Sequence, residues 1–337
     1  MRTILLLSLF LAFALTAFTL PRWIQKCKDI GYVWEDMNKF NHPKNVAASG
    51  GVVVVLAFIF GVLSFIAIRT FVFSVNSINV SIFALLNVIL LLAVVGLTDD
   101  LLGWKHGGLS VRFRLFFAFL ASVPLVVINA GVHEAYIPFY GTIYFGILYP
   151  LVIIPVGIAG ATTTYNFLAG LNGLEAGQGI IILSFLSGVA YLTNQSWLSV
   201  IGLAMVAALI VFYWHNKTPA RVFPGDILTY SIGALIAAMA ILGNFEKIAV
   251  FVFIPYIIET VLKLRGNLKK QSFGIPNSDG SLELPYEKIY GLTHASIFIL
   301  KKCKNKVYEA DVVYFIFGIQ IFICLLALFI FRGGLGL

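Results

Sequence analysis

Long apolar stretches alternate with short polar stretches along the whole chain. Each apolar stretch has roughly 18–22 residues, the length of a helix that crosses a bilayer. They predict membrane spans at about 3–20, 46–68, 80–98, 113–130, 143–165, 178–193, 197–214, 227–243, 247–264 and 312–331. No polar stretch is long enough to build a separate core. The pattern therefore predicts an all-α fold, a single integral-membrane domain over 1–337 with about ten transmembrane helices.

The composition supports a lipid environment. Hydrophobic residues make up 60% of the chain and charged residues 11%, whereas a soluble domain is typically about 45–50% apolar and about 25% charged. These values exclude a soluble globular protein. The cysteines, Cys27, Cys303 and Cys324, are too few and too far apart to indicate a disulfide framework or a cysteine metal site.

The basic residues are unevenly divided between the two ends of the predicted spans. Roughly 19 of the 23 Lys and Arg residues fall in or beside loops at about 21–45, 99–112, 166–177, 215–226 and 265–311. Because Lys and Arg collect in cytoplasmic loops, these loops are predicted to face the cytoplasm, with both termini outside. Membrane topology then explains the net charge of +8, and no nucleic-acid partner is expected.

Three carboxylates lie where the predicted cytoplasmic loops meet the spans. Asp99 and Asp100 are adjacent at the end of one apolar run, and Asp226 opens another directly after Pro224-Gly225. Adjacent acids repel each other, so they favour a nearby cation or basic group, and the pair indicates a site for Mg²⁺ or for proton handling. The alternatives are a solvated helix end for the pair and a helix cap for Asp226.

Amide side chains and glycines alternate in the third predicted loop, which contains Asn166, Asn172, Glu175 and Gln178. Glycine allows a ligand to approach the backbone closely. An Asn side chain offers an oxygen for Mg²⁺ and an amide for a nucleobase edge. Helix packing through small residues would explain the glycines but not the amides, so the loop favours a ligand site.

The last predicted loop is the longest and is strongly basic, and it includes Lys269 and Lys270. Its Asn277-Ser-Asp-Gly280 turn, with extended segments on either side, predicts a small β-hairpin. A basic cover over a carboxylate-rich cleft suits an anionic substrate that carries Mg²⁺. Attraction of the lysines to anionic lipid is the alternative.

Together these loops resemble the polyprenyl-phosphate sugar-1-phosphate transferase family, of the glycosyltransferase 4 type, over nearly the whole chain. The strongest stretch is Asn166-Phe-Leu-Ala-Gly-Leu-Asn-Gly-Leu-Glu-Ala-Gly-Gln178, which is most similar to the dolichyl-phosphate GlcNAc-1-phosphate transferase branch, as is Val222-Phe-Pro-Gly-Asp226. The Gly-Leu-Thr-Asp-Asp block that ends at Asp100 matches the acidic pair of the family. The resemblance implies ten helical spans with both termini outside, and an archaeal source.

The resemblance also implies roles for individual residues. Asp226 and Asn166 would hold Mg²⁺, with Mn²⁺ as the alternative, and Asn172 would lie near the uridine. Asp99 and Asp100 would face the lipid phosphate, one of them as a proposed general base. The other positions expected to bind substrate are Lys44, Arg112 or Arg114, Glu175, Lys269 and Lys270.

One departure from the family concerns the sugar. Members carry a His/Arg-rich motif in the last cytoplasmic loop, and the corresponding segment here, 271–276, contains neither residue type. Lys269, Lys270 or Arg265 is expected to substitute, and the identity of the sugar is left open.

The implied activity is Mg²⁺-dependent transfer of a sugar-1-phosphate, most simply GlcNAc-1-phosphate, from a UDP-sugar to a polyprenyl or dolichyl phosphate, with release of UMP. This would be the first membrane step of a glycan assembly similar to that of N-glycans. The expected partners are both substrates and the bilayer, and a homodimer is left open. A membrane transporter or lipid flippase is the alternative, but it requires ionisable groups deep in the spans, where this sequence has few.

Overall fold

The computed structural model describes residues 2–137 and 141–335, so Met1, 138–140 and 336–337 of the predicted domain lie outside the described residues. The helices are α1 Arg2–Asp29, α2 Gly51–Ala67, α3 Asn79–His106, α4 Val111–Ala121, α5 Val123–Val127, α6 Ile154–Phe167, α7 Leu174–Leu192, α8 Ser196–Asn216, α9 Gly225–Gly243, α10 Glu246–Val252, α11 Ile254–Arg265, α12 Leu292–Cys303 and α13 Glu309–Leu335. Short π-helical segments, Ile68–Val72 and Tyr149–Ile153, follow α2 and precede α6.

Short strands accompany the helices, and they are more numerous than the single β-hairpin that the sequence predicts for the last loop. The strands are β1 Val33–Glu35, β2 Lys44–Ala47, β3 Glu134–Ile137, β4 Gly141–Tyr144, β5 Ile275–Pro276 and β6 Leu282–Glu283. They pair in sequence order as two-stranded antiparallel sheets. The β5–β6 pair lies in the last loop, where the hairpin was expected, and the Gly280 N–H donates to the Asn277 carbonyl at 2.9 Å in its turn.

Seven helices within the described residues are long and apolar enough to cross a membrane, which makes this a multi-pass membrane protein. They are Leu6–Asp29, Gly51–Val72, Asn79–Trp104, Leu174–Leu192, Ser196–Asn216, Gly225–Gly243 and Glu309–Gly334.

The other three predicted spans are interrupted, so the predicted number of ten is not confirmed. The span at 113–130 divides between α4 and α5, the span at 143–165 begins in β4 and a π-helical segment, and the span at 247–264 divides between α10 and α11. Pro124, Pro150 and Pro255 lie in the first turn of the element that follows each break. Proline has no N–H to donate to the preceding turn, which explains why the helices restart there.

Two helices extend beyond their predicted ends, and both extensions shape the candidate site. α1 continues past residue 20, and the Trp23 indole N–H donates to the Ala48 carbonyl at 2.9 Å, which holds the loop between α1 and α2. α3 continues past residue 98, so Asp99 and Asp100 lie on a helix rather than in a loop. The apolar runs therefore predicted the apolar part of these two helices but not their polar ends.

Helix α9 lies at the centre of the bundle, where α2, α3, α6 and α7 pack against it. Glycines allow the close approach of these helices. A Cβ atom at Gly96 of α3 would lie 2.6 Å from the Asp226 carbonyl oxygen, and one at Gly233 of α9 would lie 2.7 Å from the Ala161 carbonyl oxygen of α6. Because no side chain fits at such distances, the Gly96 contact fixes the first turn of α9 against α3, and the Gly233 contact fixes the middle of α9 against α6.

Candidate active site

Asp100 caps the N-terminus of α9. Its Oδ1 accepts the Asp226 N–H at 2.8 Å, and its Oδ2 lies 3.5 Å from the Ile227 N–H donor nitrogen. These amides have no partner within the helix, and a carboxylate there also suits the positive end of the helix dipole. Gly225 permits the contact, because its φ is +71° and a Cβ atom would overlap the Asp100 carboxylate. The cap thereby joins the end of α3 to the start of α9.

Tyr32 and Ser49 support this cap from the first loop. The Ser49 side chain hydrogen-bonds Asp100, and its Oγ lies 2.7 Å from the Tyr32 hydroxyl. Burial raises the pKa of Tyr32 to about 12, and the negative charge of Asp100 adds to the rise. The hydroxyl therefore stays protonated near neutral pH and can act as a donor.

Arg114 lies between the other two acids. Its Nη1 donates to Asp99 Oδ2 at 2.9 Å and lies 3.6 Å from Asp226 Oδ2. The second Asp99 oxygen accepts the Leu109 N–H. The side chain of Asp99 is only 7% exposed, whereas that of Asp226 is 24% exposed. One guanidinium group thus offsets the repulsion between two carboxylates, and Asp226 keeps the more accessible oxygens.

Asp226 and Asn166, the residues expected to hold a divalent cation, line the wall of one cavity. Thr229 links them across α9 and α6, because its Oγ1 donates to Asn166 Oδ1 at 3.0 Å and lies 3.2 Å from the Asp226 carbonyl oxygen. Within the part of the chain that the structure describes, no group of three or more His, Cys, Asp or Glu side chains could hold a metal. Mg²⁺ typically uses one or two carboxylates and completes its shell with substrate phosphates and water. A carboxylate and an amide oxygen on a cavity wall fit that requirement.

A cavity of about 480 Å³ opens beside the first turn of α9. One part of its wall is acidic and polar, formed by Asp100, Asp226, Asn166 and Thr229. Another part comes from the first loop, the glycine-rich loop and the segment before α9, and includes Trp34, Lys44, Gly170, Asn172, Asn216 and Phe223. The first cavity therefore has one wall that suits a cation and another wall, with aromatic and amide groups, that suits a polar aromatic ring.

Hydrogen bonds to protein hold the glycine-rich loop at 168–173. Glu175 Oε1 accepts the Gly170 N–H at 2.8 Å, and Asn38 Nδ2 donates to the Gly170 carbonyl at 2.6 Å. Asn172 Nδ2 donates to Asp36 Oδ2 at 2.8 Å. The φ of Gly170 is +108°, a conformation that favours glycine. Asn172 and Glu175 both line the cavity, but their side chains also organise the loop itself.

A second cavity of about 200 Å³ adjoins the first, because Asn166 and Ala169 line both. Three basic residues, Arg114, Lys263 and Lys270, contribute to its wall. Its apolar lining includes Val111, Leu115, Phe167 and Leu268. Three cations beside an apolar wall suit an anionic group attached to an apolar chain.

The predicted basic residues divide between the cavities and the surface. Lys44 lines the first cavity and Lys270 the second. The Lys270 ammonium also lies 4.5 Å from the centre of the Tyr286 ring. Arg112 and Lys269 are exposed and line neither cavity.

Several residues at the site were not predicted. Asp36 and Asn38 belong to the first loop, Lys263 to the end of α11, and Glu309 to the start of α13. Glu309 carried a usable signal, since it is an acid that opens an apolar span, as Asp226 is. The others gave no such signal. Asp36 and Asn38 join the site through contacts with Asn172 and Gly170, which are distant along the chain.

The sequence matches the family model described as glycosyl transferase family 4 over residues 82–244, which include Asp99, Asp100, Asn166 and Asp226. A Saccharolobus solfataricus protein is 36% identical over 92% of each chain, and is provisionally named a UDP-N-acetylglucosamine–dolichyl-phosphate N-acetylglucosaminephosphotransferase. A Sulfolobus acidocaldarius protein with the same provisional name is 32% identical over 96% of this chain and 95% of its own. A phospho-N-acetylmuramoyl-pentapeptide-transferase of Halalkalibacterium halodurans is 30% identical over 77% of this chain and 81% of its own.

Proposed function

We propose a specific reaction for this chain, which belongs to glycosyl transferase family 4 and is a transferase, as its motifs predicted. It transfers GlcNAc-1-phosphate from UDP-GlcNAc to a dolichyl or polyprenyl phosphate and releases UMP, with Mg²⁺ as cofactor. The names of the two archaeal relatives support the choice of substrates. The observation that carries the proposal is the pair of adjoining cavities, one acidic and polar, the other basic and apolar.

The first cavity is the donor cavity in this proposal. Asp226 and Asn166 would hold Mg²⁺, and the chemistry it supplies is neutralisation of the charge on the donor diphosphate. The uridine then extends toward Phe223 and the glycine-rich loop, where aromatic and amide groups line the wall. Asp100 contributes by capping α9, which sets the position of Asp226.

The second cavity is the acceptor cavity. Arg114, Lys263 and Lys270 provide positive charge for the lipid phosphate, and the apolar part of the wall suits the start of the lipid chain. Asn166 and Ala169 line both cavities, so a phosphate bound in one lies beside a diphosphate bound in the other. Holding the two reactants together in this way supplies much of the catalysis in phosphoryl transfer.

The reaction is a single displacement. An oxygen of the lipid phosphate bonds to the sugar-bearing phosphorus of the donor, the bond from that phosphorus to the bridging oxygen breaks, and UMP leaves with that oxygen. The nucleophile is already an anion, so it requires little activation by a base. The contacts of Asp99 with Arg114 and of Asp100 with α9 support structural and electrostatic roles for this pair.

The proposed topology has ten spans, with both termini outside and the two cavities at the cytoplasmic side. Seven spans are the long apolar helices, and the interrupted pairs α4–α5, the π-helical segment with α6, and α10–α11 supply the rest. The distribution of Lys and Arg along the chain supports this orientation.

The test uses the purified full chain in detergent with UDP-GlcNAc, a short polyprenyl phosphate and Mg²⁺. UMP release and a chloroform-soluble GlcNAc product should require all three components. In proteoliposomes, flux of substrate without UMP release would contradict the proposal and favour a transporter. Substitution of the sugar in a panel of UDP-sugars should show the fastest turnover with UDP-GlcNAc.

A further inference from the structure

Glu309, the first residue of α13, is a buried acceptor shared by three distant segments. Its Oε2 accepts hydrogen bonds from Lys39 Nζ at 2.6 Å and from the Thr218 hydroxyl at 3.0 Å. Its Oε1 accepts the Asn172 N–H at 2.7 Å, and Asn172 Nδ2 lies 3.3 Å from Oε2. Only 2% of the Glu309 side chain is exposed. A carboxylate removed from water in this way depends on such partners to remain charged.

The segments that meet at Glu309 also form the loop-derived wall of the donor cavity. Residues 34–38, 170–172 and 216 line it, Lys39 directly follows the first of these, and Thr218 lies close after the last. Glu309 does not line the cavity itself. Its effect on a ligand would therefore be indirect, through the positions of the three segments.

The acidic part of the same cavity is held by different contacts. Asp226 is fixed by the Asp100 cap and by the close approach of Gly96, and neither contact involves α13. A change at Glu309 should consequently loosen one part of the donor cavity and leave the diphosphate part in place.

We propose that Glu309 is a positioning residue that holds the nucleoside-binding wall of the donor cavity. This inference rests on the proposed function, since it assigns that wall to the uridine of the donor. Contacts to the uridine are the same in the ground state and in the transition state. Their weakening should raise the KM for UDP-GlcNAc and leave kcat unchanged.

The test compares Glu309→Gln with Asp311→Asn, a matched control on the same helical turn. Asp311 pairs with Lys304 at 2.7 Å and is 25% exposed, and it does not line the cavity. Glu309→Gln should raise the KM for UDP-GlcNAc about tenfold or more, because hydrogen bonds to a charged group are lost. Its kcat and its KM for the lipid phosphate should stay within about twofold of wild type. Asp311→Asn should change none of the three.

A fall in kcat at unchanged KM, or equal effects in the two variants, would overturn the positioning role. If Glu309→Gln does not fold, Lys39→Met decides the question, because Lys39 is 28% exposed and its loss leaves the other donors to Glu309 in place. A raised KM for UDP-GlcNAc in Lys39→Met supports the inference, and an unchanged KM overturns it.

Calorimetric titration with UDP alone separates this inference from the proposed function. If wild type releases no UMP but binds UDP, and Glu309→Gln binds it about tenfold more weakly, the proposed reaction fails and the positioning role stands. If wild type turns over and Glu309→Gln binds UDP as tightly as wild type, the reaction stands and the positioning role fails. If wild type does not bind UDP, both fail.

Discussion

Replacement of Asp100 by Asn and by Ala separates a capping role from a role in proton transfer. In the structure Asp100 accepts the Asp226 N–H at 2.8 Å, and its other oxygen lies 3.5 Å from the Ile227 nitrogen. An Asn side chain keeps a carbonyl oxygen for the shorter bond, and its NH₂ group can donate to the Ser49 hydroxyl. Asp100→Asn loses the charge and the longer, weaker contact, which costs about 1 kcal/mol.

Asp100→Ala removes the cap completely and leaves the Asp226 N–H without its partner. Loss of an N-cap costs about 0.5–2 kcal/mol, and a buried donor without a partner costs about 1–3 kcal/mol. Because these are partly the same loss, we expect about 2–3 kcal/mol in total. If this free energy is lost through misplacement of Asp226, kcat/KM should fall about 30–150-fold in Asp100→Ala. The smaller cost in Asp100→Asn corresponds to a fall of about fivefold.

The assay is the initial rate of UMP release at saturating Mg²⁺, with the melting temperature of each variant measured in the same detergent. Loss of a general base would lower the rate by about 10²–10⁴ in both variants, whatever the fold. An Asn variant as inactive as the Ala variant, at an unchanged melting temperature, would refute the capping role and favour a base.

Three further changes test neighbouring contacts. Gly225→Ala places a methyl group against the Asp100 carboxylate at a φ of +71°, so activity should fall at least about tenfold and the melting temperature should drop. The control is Gly188→Ala, where a Cβ atom would meet nothing within 4 Å, and it should keep the activity and melting temperature of wild type. EDTA should abolish UMP release, and added Mg²⁺ should restore it. In Asp226→Asn the Mg²⁺ concentration for half-maximal activity should be about tenfold higher or more. Turnover that is independent of metal would contradict the Mg²⁺ assignment. Arg114→Met leaves two acids without their cation and should lower kcat/KM about 100-fold. Arg112→Met, at an exposed position, should keep kcat/KM within about twofold of wild type. Equal losses in the two variants would contradict a role for Arg114 in the site.

The apolar pattern predicted the positions of the seven long spans well, because lipid-length runs leave few alternative folds. It failed where proline interrupts an apolar run. Pro124, Pro150 and Pro255 are single residues in long apolar runs, so the average hydropathy of each run stays high and does not register the lost hydrogen bond. It also failed at the end of α3, where the helix continues beyond the lipid-like stretch into contacts with protein.

The sequence indicated which polar residues belong to the site, but it did not indicate which residue each of them contacts. Asp99 and Asp100 are adjacent, but on a helix their side chains point about 100° apart. One therefore meets Arg114 and the other meets the start of α9. A prediction that placed them in a loop had no means of separating them. Glu309 opens an apolar span as Asp226 does, but the sequence did not show which residues it contacts, because they lie in segments distant along the chain.

The central claim is that the sugar moves together with its phosphate. UDP-GlcNAc labelled with ³²P at the sugar-bearing phosphate tests this directly, in a reaction with polyprenyl phosphate and Mg²⁺ followed by extraction with chloroform. We expect the label to enter the chloroform phase while unlabelled UMP collects in the aqueous phase. Label that remains in the aqueous phase as UDP, while GlcNAc enters the lipid, would show transfer of the sugar alone and would contradict the proposed reaction.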